Sequence, residues 1–293
     1  MSWVRPPLAA PILPIHARAV RALVGSALAH SASLPLFAVD GSSSTLAPKH
    51  VFAGTSGWSY PTWKPGFYPV SVSSKRFLEY YGTRLNSVEV NFTFRKLPTE
   101  SMMSSWLAAV PQDFRFSFKA PQRITHFNRL RDCEGLVASF VSSVELAQQA
   151  GKLGLLLFQL PPTFKVSAHR LEEFLALSSL NGPSAPHVAF EFRDQSWFIE
   201  EVYAILRDHN AALCVAETDD LQTPAVQCAW THASFRMRRA GGYTPVEIEA
   251  FAKRVMPLAA ERDLYIYFKH EDDPSGALNA TEFLSQSHRV AQL

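Results

Sequence analysis

The chain has 293 residues, 47% of them hydrophobic and 18% charged, and a formal net charge of +2. That length and apolar content suit one large folded core and exclude a disordered chain. So small a net charge excludes attachment to nucleic acid or a membrane surface through bulk field, and any basic site must be local.

From Met1 to Pro48 the segment is rich in Ala, Pro, Ser and Leu, with Asp40 as its single acid. It reads as an appended extension. A secretory signal needs a basic start and an unbroken apolar stretch, whereas Pro6, Pro7, Pro11 and Pro14 precede a weak run from Ala22 to Ala29 that Gly25 and Ser26 interrupt. The same run is too short to span a bilayer. A cytoplasmic protein without membrane contact is therefore expected. Gly41-Ser42-Ser43-Ser44-Thr45 is linker chemistry, so the expected division is a flexible extension over 1–48 and a folded domain over 49–293.

Beyond the linker, strand-like and helix-like patterns alternate. Strands are predicted at Val51 to Ser56, Ser87 to Asn91, Arg115 to Lys119, Gly154 to Gln159, Val188 to Phe192, Ala212 to Ala216, Ser234 to Met237 and Leu264 to Phe268. Helices are predicted at Lys75 to Tyr81, Glu100 to Val110, Gly135 to Ala150, Ala168 to Leu177, Ile199 to His209, Pro245 to Ala260 and Ala277 to Ser285. Eight such units in about 240 residues predict a TIM-type (β/α)8 parallel barrel, an α/β fold. The competing open doubly wound sheet wants a phosphate fingerprint after its first strand. Gly54-Thr55-Ser56-Gly57-Trp58 lacks that spacing, and no Walker-type motif occurs.

In a barrel of this kind the chemistry sits where the strands end. After the first strand, Thr55, Ser56, Trp58, Tyr60 and Trp63 form a loop rich in hydroxyls and aromatics. It suits a planar ligand or, equally, a plug packed on its own barrel. Glu89, Asn91 and Thr93 follow at alternate positions, which predicts one shared face. Glu89 is a candidate acid or base, or half of a buried ion pair with Arg193 or Lys119. Lys119 ends the third strand as a candidate nucleophile or base, with pairing to Glu89 or Glu191 as the alternative. His126 can shuttle protons near neutral pH, although a hydrogen-bonding loop residue is the commoner role. Gln159 offers donors and an acceptor before Leu160-Pro161-Pro162.

The fifth strand supplies Glu191 and Arg193, two apart on one face, and then Trp197. The seventh and eighth supply Arg236, Arg238 and Lys269, where barrels of this type often hold phosphate. Arg239 reads as a solvated surface charge. Asp272 and Asp273 read as a cap and turn before the last helix rather than as metal ligands with His270 and Glu271. Cys133, Cys214 and Cys228 show no Cys-x-x-Cys spacing, which argues against a zinc site or a disulfide framework. Cys214 reads as a small buried hydrophobe.

Several separated motifs together carry a resemblance. They are Gly54-Thr55-Ser56-Gly57-Trp58 with Phe67-Tyr68-Pro69, Glu89-Val90-Asn91 with Thr93-Phe94, and Phe118-Lys119-Ala120-Pro121 with Thr125-His126. Gln159-Leu160-Pro161-Pro162 and Phe190-Glu191-Phe192-Arg193 with Ser196-Trp197 complete the set. The chain resembles the YecE-like barrels, domain of unknown function 72, from about Phe52 to the last helix. The resemblance implies a TIM-type barrel and brings no established activity with it; the cofactor is left unknown. The chain departs from that pattern at two strand ends. Relatives look like Arg-x-His-Gly where this chain has Arg236-Met237-Arg238-Arg239, and like Phe-x-Asn where it has Phe268-Lys269-His270. Both changes add positive charge, which points to a subgroup with its own ligand.

Three functions stay open at this stage. The first is an enzyme, hydrolase or lyase, acting on a small anionic or phosphorylated molecule, with Glu89 or Glu191 as acid or base, Lys119 and Arg193 as charge partners, and Arg236 with Lys269 on the anion. The second is metal-assisted action on nucleic acid with Trp58, Trp63 and Trp197 stacking on bases, against which stands the missing set of metal ligands at the strand ends. The third is a ligand-binding barrel without catalysis.

Overall fold

A computed structural model describes residues 51–218, 221–239, 241–269 and 273–291. The expected extension over 1–48 lies outside the described residues, as do His270, Glu271 and Asp272. Strands Val51–Ser56 (β1), Ser87–Val90 (β2), Arg115–Lys119 (β3), Leu153–Gln159 (β4), His187–Glu191 (β5), Ala212–Glu217 (β6), His232–Met237 (β7) and Asp263–Phe268 (β8) close into one barrel in chain order. Every pairing is parallel. Only a glycine fits at Gly54, because a Cβ there would lie 1.8 Å from the Ser87 carbonyl oxygen of the adjoining strand.

The helices are Phe77–Gly82 (α1), Glu100–Ala108 (α2), Glu134–Ser143 (α3), Glu145–Gln149 (α4), Ala168–Leu175 (α5), Glu200–Asp208 (α6), Pro245–Val255 (α7) and Ser275–Val290 (α8). The single helix predicted over Gly135 to Ala150 is broken at Val144, where φ and ψ are −111° and 5°. Ser143 Oγ donates to the Phe140 carbonyl there, an alternative to continued helix. The helix predicted to run to Ala260 ends at Val255 and tightens into a 3-10 turn over Met256–Ala260, since Pro257 has no amide hydrogen to give. Asp273 Oδ1 accepts from the Ser275 amide at 2.8 Å, as expected of a residue that starts the last helix. Among the described residues no helix separates β6 from β7.

The second strand departs most from expectation. It stops at Val90, Asn91 turns to helical angles, and Phe92–Phe94 form a 3-10 turn. Glu89, Asn91 and Thr93 therefore do not share a face. Thr93 is buried, and its hydroxyl bonds the Val90 and Lys119 carbonyls at 3.0 and 2.7 Å, competing with the strand for the backbone.

Apolar residues divide between two clusters, the larger lying between strands and helices. The smaller includes Phe52, Leu155, Leu157, Ala189, Cys214, Tyr265 and Tyr267, at alternate strand positions that face the barrel interior. Above Tyr265 the filling turns polar: the Tyr267 hydroxyl bonds Ser117 Oγ at 2.6 Å and Ser87 Oγ at 2.8 Å. Cys214 is buried here and its thiol pKa is raised by that burial, which fits a packing role.

The outer layer is aromatic. Phe190 of β5 stacks on Phe158 of β4 at 5.3 Å and meets Phe174 of α5 edge-on at 6.1 Å, with no exposed surface. Replacing Phe190 by Ala should cost about 3 to 5 kcal/mol, read as a lowered denaturant midpoint at unchanged slope. A loss under about 1 kcal/mol would mean that the layer is not packed as described.

Candidate functional site at the barrel mouth

The carboxyl ends of the strands bring together residues far apart in sequence. Arg236 of β7 lies between two carboxylates. Its Nη1 donates to Glu191 Oε2 at 2.5 Å, and its Nη2 donates to Glu89 Oε1 at 2.6 Å and to Ser56 Oγ at 3.3 Å. Ser56 Oγ donates in turn to Glu89 Oε1 at 2.8 Å. From the rim, Arg193 Nε and Gln159 Nε2 both donate to Glu191 Oε1, at 2.5 and 2.9 Å. Glu191, Glu89 and Arg236 are at most 2% exposed.

Burial alone would push the Glu191 carboxyl up, but the Arg236 and Arg193 guanidiniums and the hydrogen bonds from Arg236 and Gln159 outweigh it and hold it at about 2. Arg236 is held more firmly protonated by Glu89 and Glu191, against the opposing effect of its burial. Both carboxylates are thus hydrogen-bonded acceptors inside an ion network. The partner of Glu89 is Arg236, not the Arg193 or Lys119 that its sequence position suggested.

Lys119 departs from expectation in the opposite sense. Among the described residues its amine makes no ion pair or hydrogen bond with Glu89, Glu191 or any other group, and Nζ lies 4.6 Å from the ring centre of Phe94. Burial, then the nearby Arg236 and Lys269, outweigh Glu89 and Glu191 and lower the amine to about 8. His126 packs edge-on against the same Phe94 ring at 5.0 Å, and its Nδ1 shares a hydrogen with Thr125 Oγ1 at 2.8 Å. Its pKa is lowered by partial burial and by the cations Lys119 and Arg193.

A cavity of about 470 Å³ opens beside these groups, lined by Asn91, Phe92, Phe94, Arg95, Lys96, Lys119 and Lys269. Its described lining carries four cationic side chains and no carboxylate. Asn91 Oδ1 is buried without a hydrogen-bond partner. Arg95 and Lys96 were not singled out in the sequence, although two successive cations directly after Thr93-Phe94 were there to be seen. Their aim depends on the 3-10 turn that replaces the predicted strand end.

Other candidates lie elsewhere. Trp197 has no exposed surface, stacks on Phe192 at 4.6 Å and donates Nε1 to the Phe164 carbonyl, so it packs the shell rather than a ligand. Trp58 packs edge-on against Trp106 at 5.4 Å, and Trp63 is buried, which makes the first loop largely a self-packed plug. Thr55 is buried, with its hydroxyl on the Gly57 carbonyl and near the Tyr81 hydroxyl. Arg238 is exposed, and its amide donates to the Glu217 carbonyl. Arg239 is not simply solvated, since it pairs with Glu247 at 2.7 Å and lies over Tyr243. Among the described residues no group of three or more His, Cys, Asp and Glu is placed to hold a metal ion.

This barrel geometry accompanies a sequence match over residues 52–292 to the family described as "Protein of unknown function DUF72". The chain belongs to the DUF72 family. The UPF0759 protein YecE of Escherichia coli K12 is 34% identical over 114 residues, which is 39% of this chain and 39% of that protein. The UPF0759 protein YunF of Bacillus subtilis is 26% identical over 157 residues, 52% of this chain and 54% of the relative. The matched stretches thus span about two-fifths to half of these curated relatives. A crystal structure of a DUF72 family protein from Thermotoga maritima superposes with a TM-score of 0.70 at 27% identity, over 80% of this chain and 98% of that one. The DUF72 barrel is therefore common to both, while the ligand and chemistry are matters for the residues themselves.

Arg236→Gln should destabilise the protein by about 3 to 5 kcal/mol at pH 7, because it strands two buried carboxylates. The deficit should narrow in acid. Glu191 is held below its ordinary value of 4.5, so its contribution is present above that pH and is lost as pH falls towards the folded value. The variant has lost the cation that holds it there. Denaturation of both proteins at pH 7 and at pH 4 checks this, and a deficit that does not shrink would count against the network.

Proposed function

We propose that this DUF72 protein is an enzyme acting on a small anionic or phosphorylated molecule at the carboxyl-end mouth of its barrel. The carrying observation is the cavity of about 470 Å³ whose described lining includes Arg95, Lys96, Lys119 and Lys269 and no acidic side chain. Fixed cations in a partly enclosed cavity favour an anion far more than the same charges do in bulk water. The anion-holding groups are then Lys269, Lys96 and Arg95, with Asn91 supplying an unpartnered acceptor for a ligand hydroxyl or amide.

Acid-base chemistry by Glu89 or Glu191 is less well supported than by Lys119. Glu191 stays ionised and bonded to three donors and does not line the cavity, so it has no proton to give there. An amine lowered to about 8 without a hydrogen-bond partner is poised to accept a proton near neutral pH. Arg236 serves in this reading to neutralise the carboxylates rather than to hold substrate. Nucleic-acid action has less support, because Trp63 and Trp197 are buried and Trp58 packs edge-on against Trp106. Among the described residues no helix is long and apolar enough to cross a membrane. Three unpaired buried cysteines suit a reducing compartment such as the cytoplasm.

Two measurements test the reading. Incubation with a pool of cell metabolites, followed by mass spectrometry of what stays bound, should return anions. The double variant Lys96→Ala/Lys269→Ala should retain markedly less of them, and equal retention by both proteins would sink the proposal. Acylation of each lysine followed against pH should show Lys119 titrating near 8, well below the ordinary value of about 10.4 for a lysine amine. The groups that set this value are Arg236, Glu89, Glu191 and Lys269 together with burial against Phe94. A Lys119 profile that matches the exposed lysines would remove it as the base.

A further inference from the structure

Lysines buried for stability satisfy their amines, and Lys152 shows how. It is 6% exposed, and its Nζ donates to the Leu107 and Val110 carbonyls, each at 2.9 Å, closing the end of α2. Lys119 does none of this. Among the described residues its amine bonds to no oxygen, although two carboxylates are close enough to influence it. Both have been taken up by Arg236, and Glu191 also by Arg193 and Gln159. What Lys119 touches instead is the face of Phe94 and the open cavity.

Neighbouring cations disfavour the ammonium form and leave the amine lone pair available, which is how a lysine becomes a nucleophile towards carbonyl carbon. The same neighbours make it a poor permanent ligand for an anion, since it would have to carry charge among Lys269, Lys96 and Arg95. An imine keeps the nitrogen uncharged and leaves those three for the anionic end of the ligand. We infer that Lys119 forms an imine with an anionic aldehyde or ketone bound in the cationic cavity. This rests on the proposed anion site and names its substrate class and reactive atom.

The step balances without an added reagent. Nζ attacks the carbonyl carbon and forms a C–N bond as the carbonyl π pair moves to oxygen. One proton passes from nitrogen to that oxygen, giving the carbinolamine. The C–O bond then breaks as the nitrogen lone pair forms the C=N bond, and water leaves with the second nitrogen proton. His126 is the proton carrier for both transfers. It shares the Phe94 ring with Lys119, its Nδ1 is occupied by Thr125, and among the described residues its Nε2 has no partner. Its lowered pKa keeps the imidazole neutral and able to accept.

The full-length protein is incubated separately with pyruvate and with dihydroxyacetone phosphate, reduced with sodium borohydride, and read by intact mass and peptide mapping. One stable adduct per chain, located on Lys119, is expected with at least one of the two anionic probes. It should be lost in Lys119→Met and Lys119→Arg, suppressed by excess inorganic phosphate, and far weaker with uncharged hydroxyacetone. Two replacements are used so that a folding defect in one, judged by circular dichroism, does not stand in for loss of the amine. No adduct with either probe, or labelling spread over several surface lysines, would overturn the inference. If metabolite anions are still retained in that case, the anion site survives and only the imine falls. If neither retention nor adduct is seen, both fall together.

Discussion

A guanidinium placed between two carboxylates inside the barrel constrains nearly everything at this end of the molecule. Charges removed from water are tolerated only when their neighbours compensate them, and the desolvation cost of each ion is several kcal/mol (about 20 by an idealised Born estimate). Arg236 meets that condition by dividing its two terminal nitrogens between Glu89 and Glu191, with Ser56, Gln159 and Arg193 taking up remaining bonding positions. The network draws on β1, β2, β4, β5 and β7 and the residue two beyond β5. It therefore ties the closed sheet across its interior as well as around its circumference, just above the hydroxyl layer of Ser87, Ser117 and Tyr267.

This arrangement decides which groups at the mouth remain chemically available. Counting Arg193, the buried network holds two positive and two negative side chains and is close to neutral. The described lining of the cavity beside it carries Arg95, Lys96, Lys119 and Lys269 and no carboxylate, so positive charge gathers locally in a chain whose net charge is only +2. Lys119 illustrates the consequence. Its nearest acids are already bonded, so its amine is left against Phe94 with a lowered proton affinity.

Membership of DUF72 fixes the scaffold and leaves the chemistry to local residues. The cations at the ends of the seventh and eighth strands behave differently. Lys269 lines the cationic cavity, whereas Arg238 lies exposed beyond β7. The cavity itself gathers the end of β3 and the segments after β2 and β8, so its cationic lining owes as much to the turn at Phe92–Phe94 as to the last two strands.

The sequence by itself determined the architecture. Eight apolar runs alternating with helical periodicity are local patterns, each set by the side-chain alternation of a strand or the 3.6-residue turn of a helix, and those demands were met where they were read. It also determined that polar groups would gather at the strand ends, since Glu89, Lys119, Gln159, Glu191, Arg236 and Lys269 each close or follow a strand. Smaller features depended on competition that a pattern does not display, such as a threonine hydroxyl taking the backbone at Val90 or a serine breaking a helix at Val144. Only the tertiary structure decided the pairing. Which of several cations meets which carboxylate depends on strand register and stagger around a closed barrel, a relation among residues up to 147 positions apart that no local pattern contains. It was that choice, Arg236 with the acids and Lys119 without them, that turned a set of interchangeable charges into a neutral strut and an amine of lowered proton affinity.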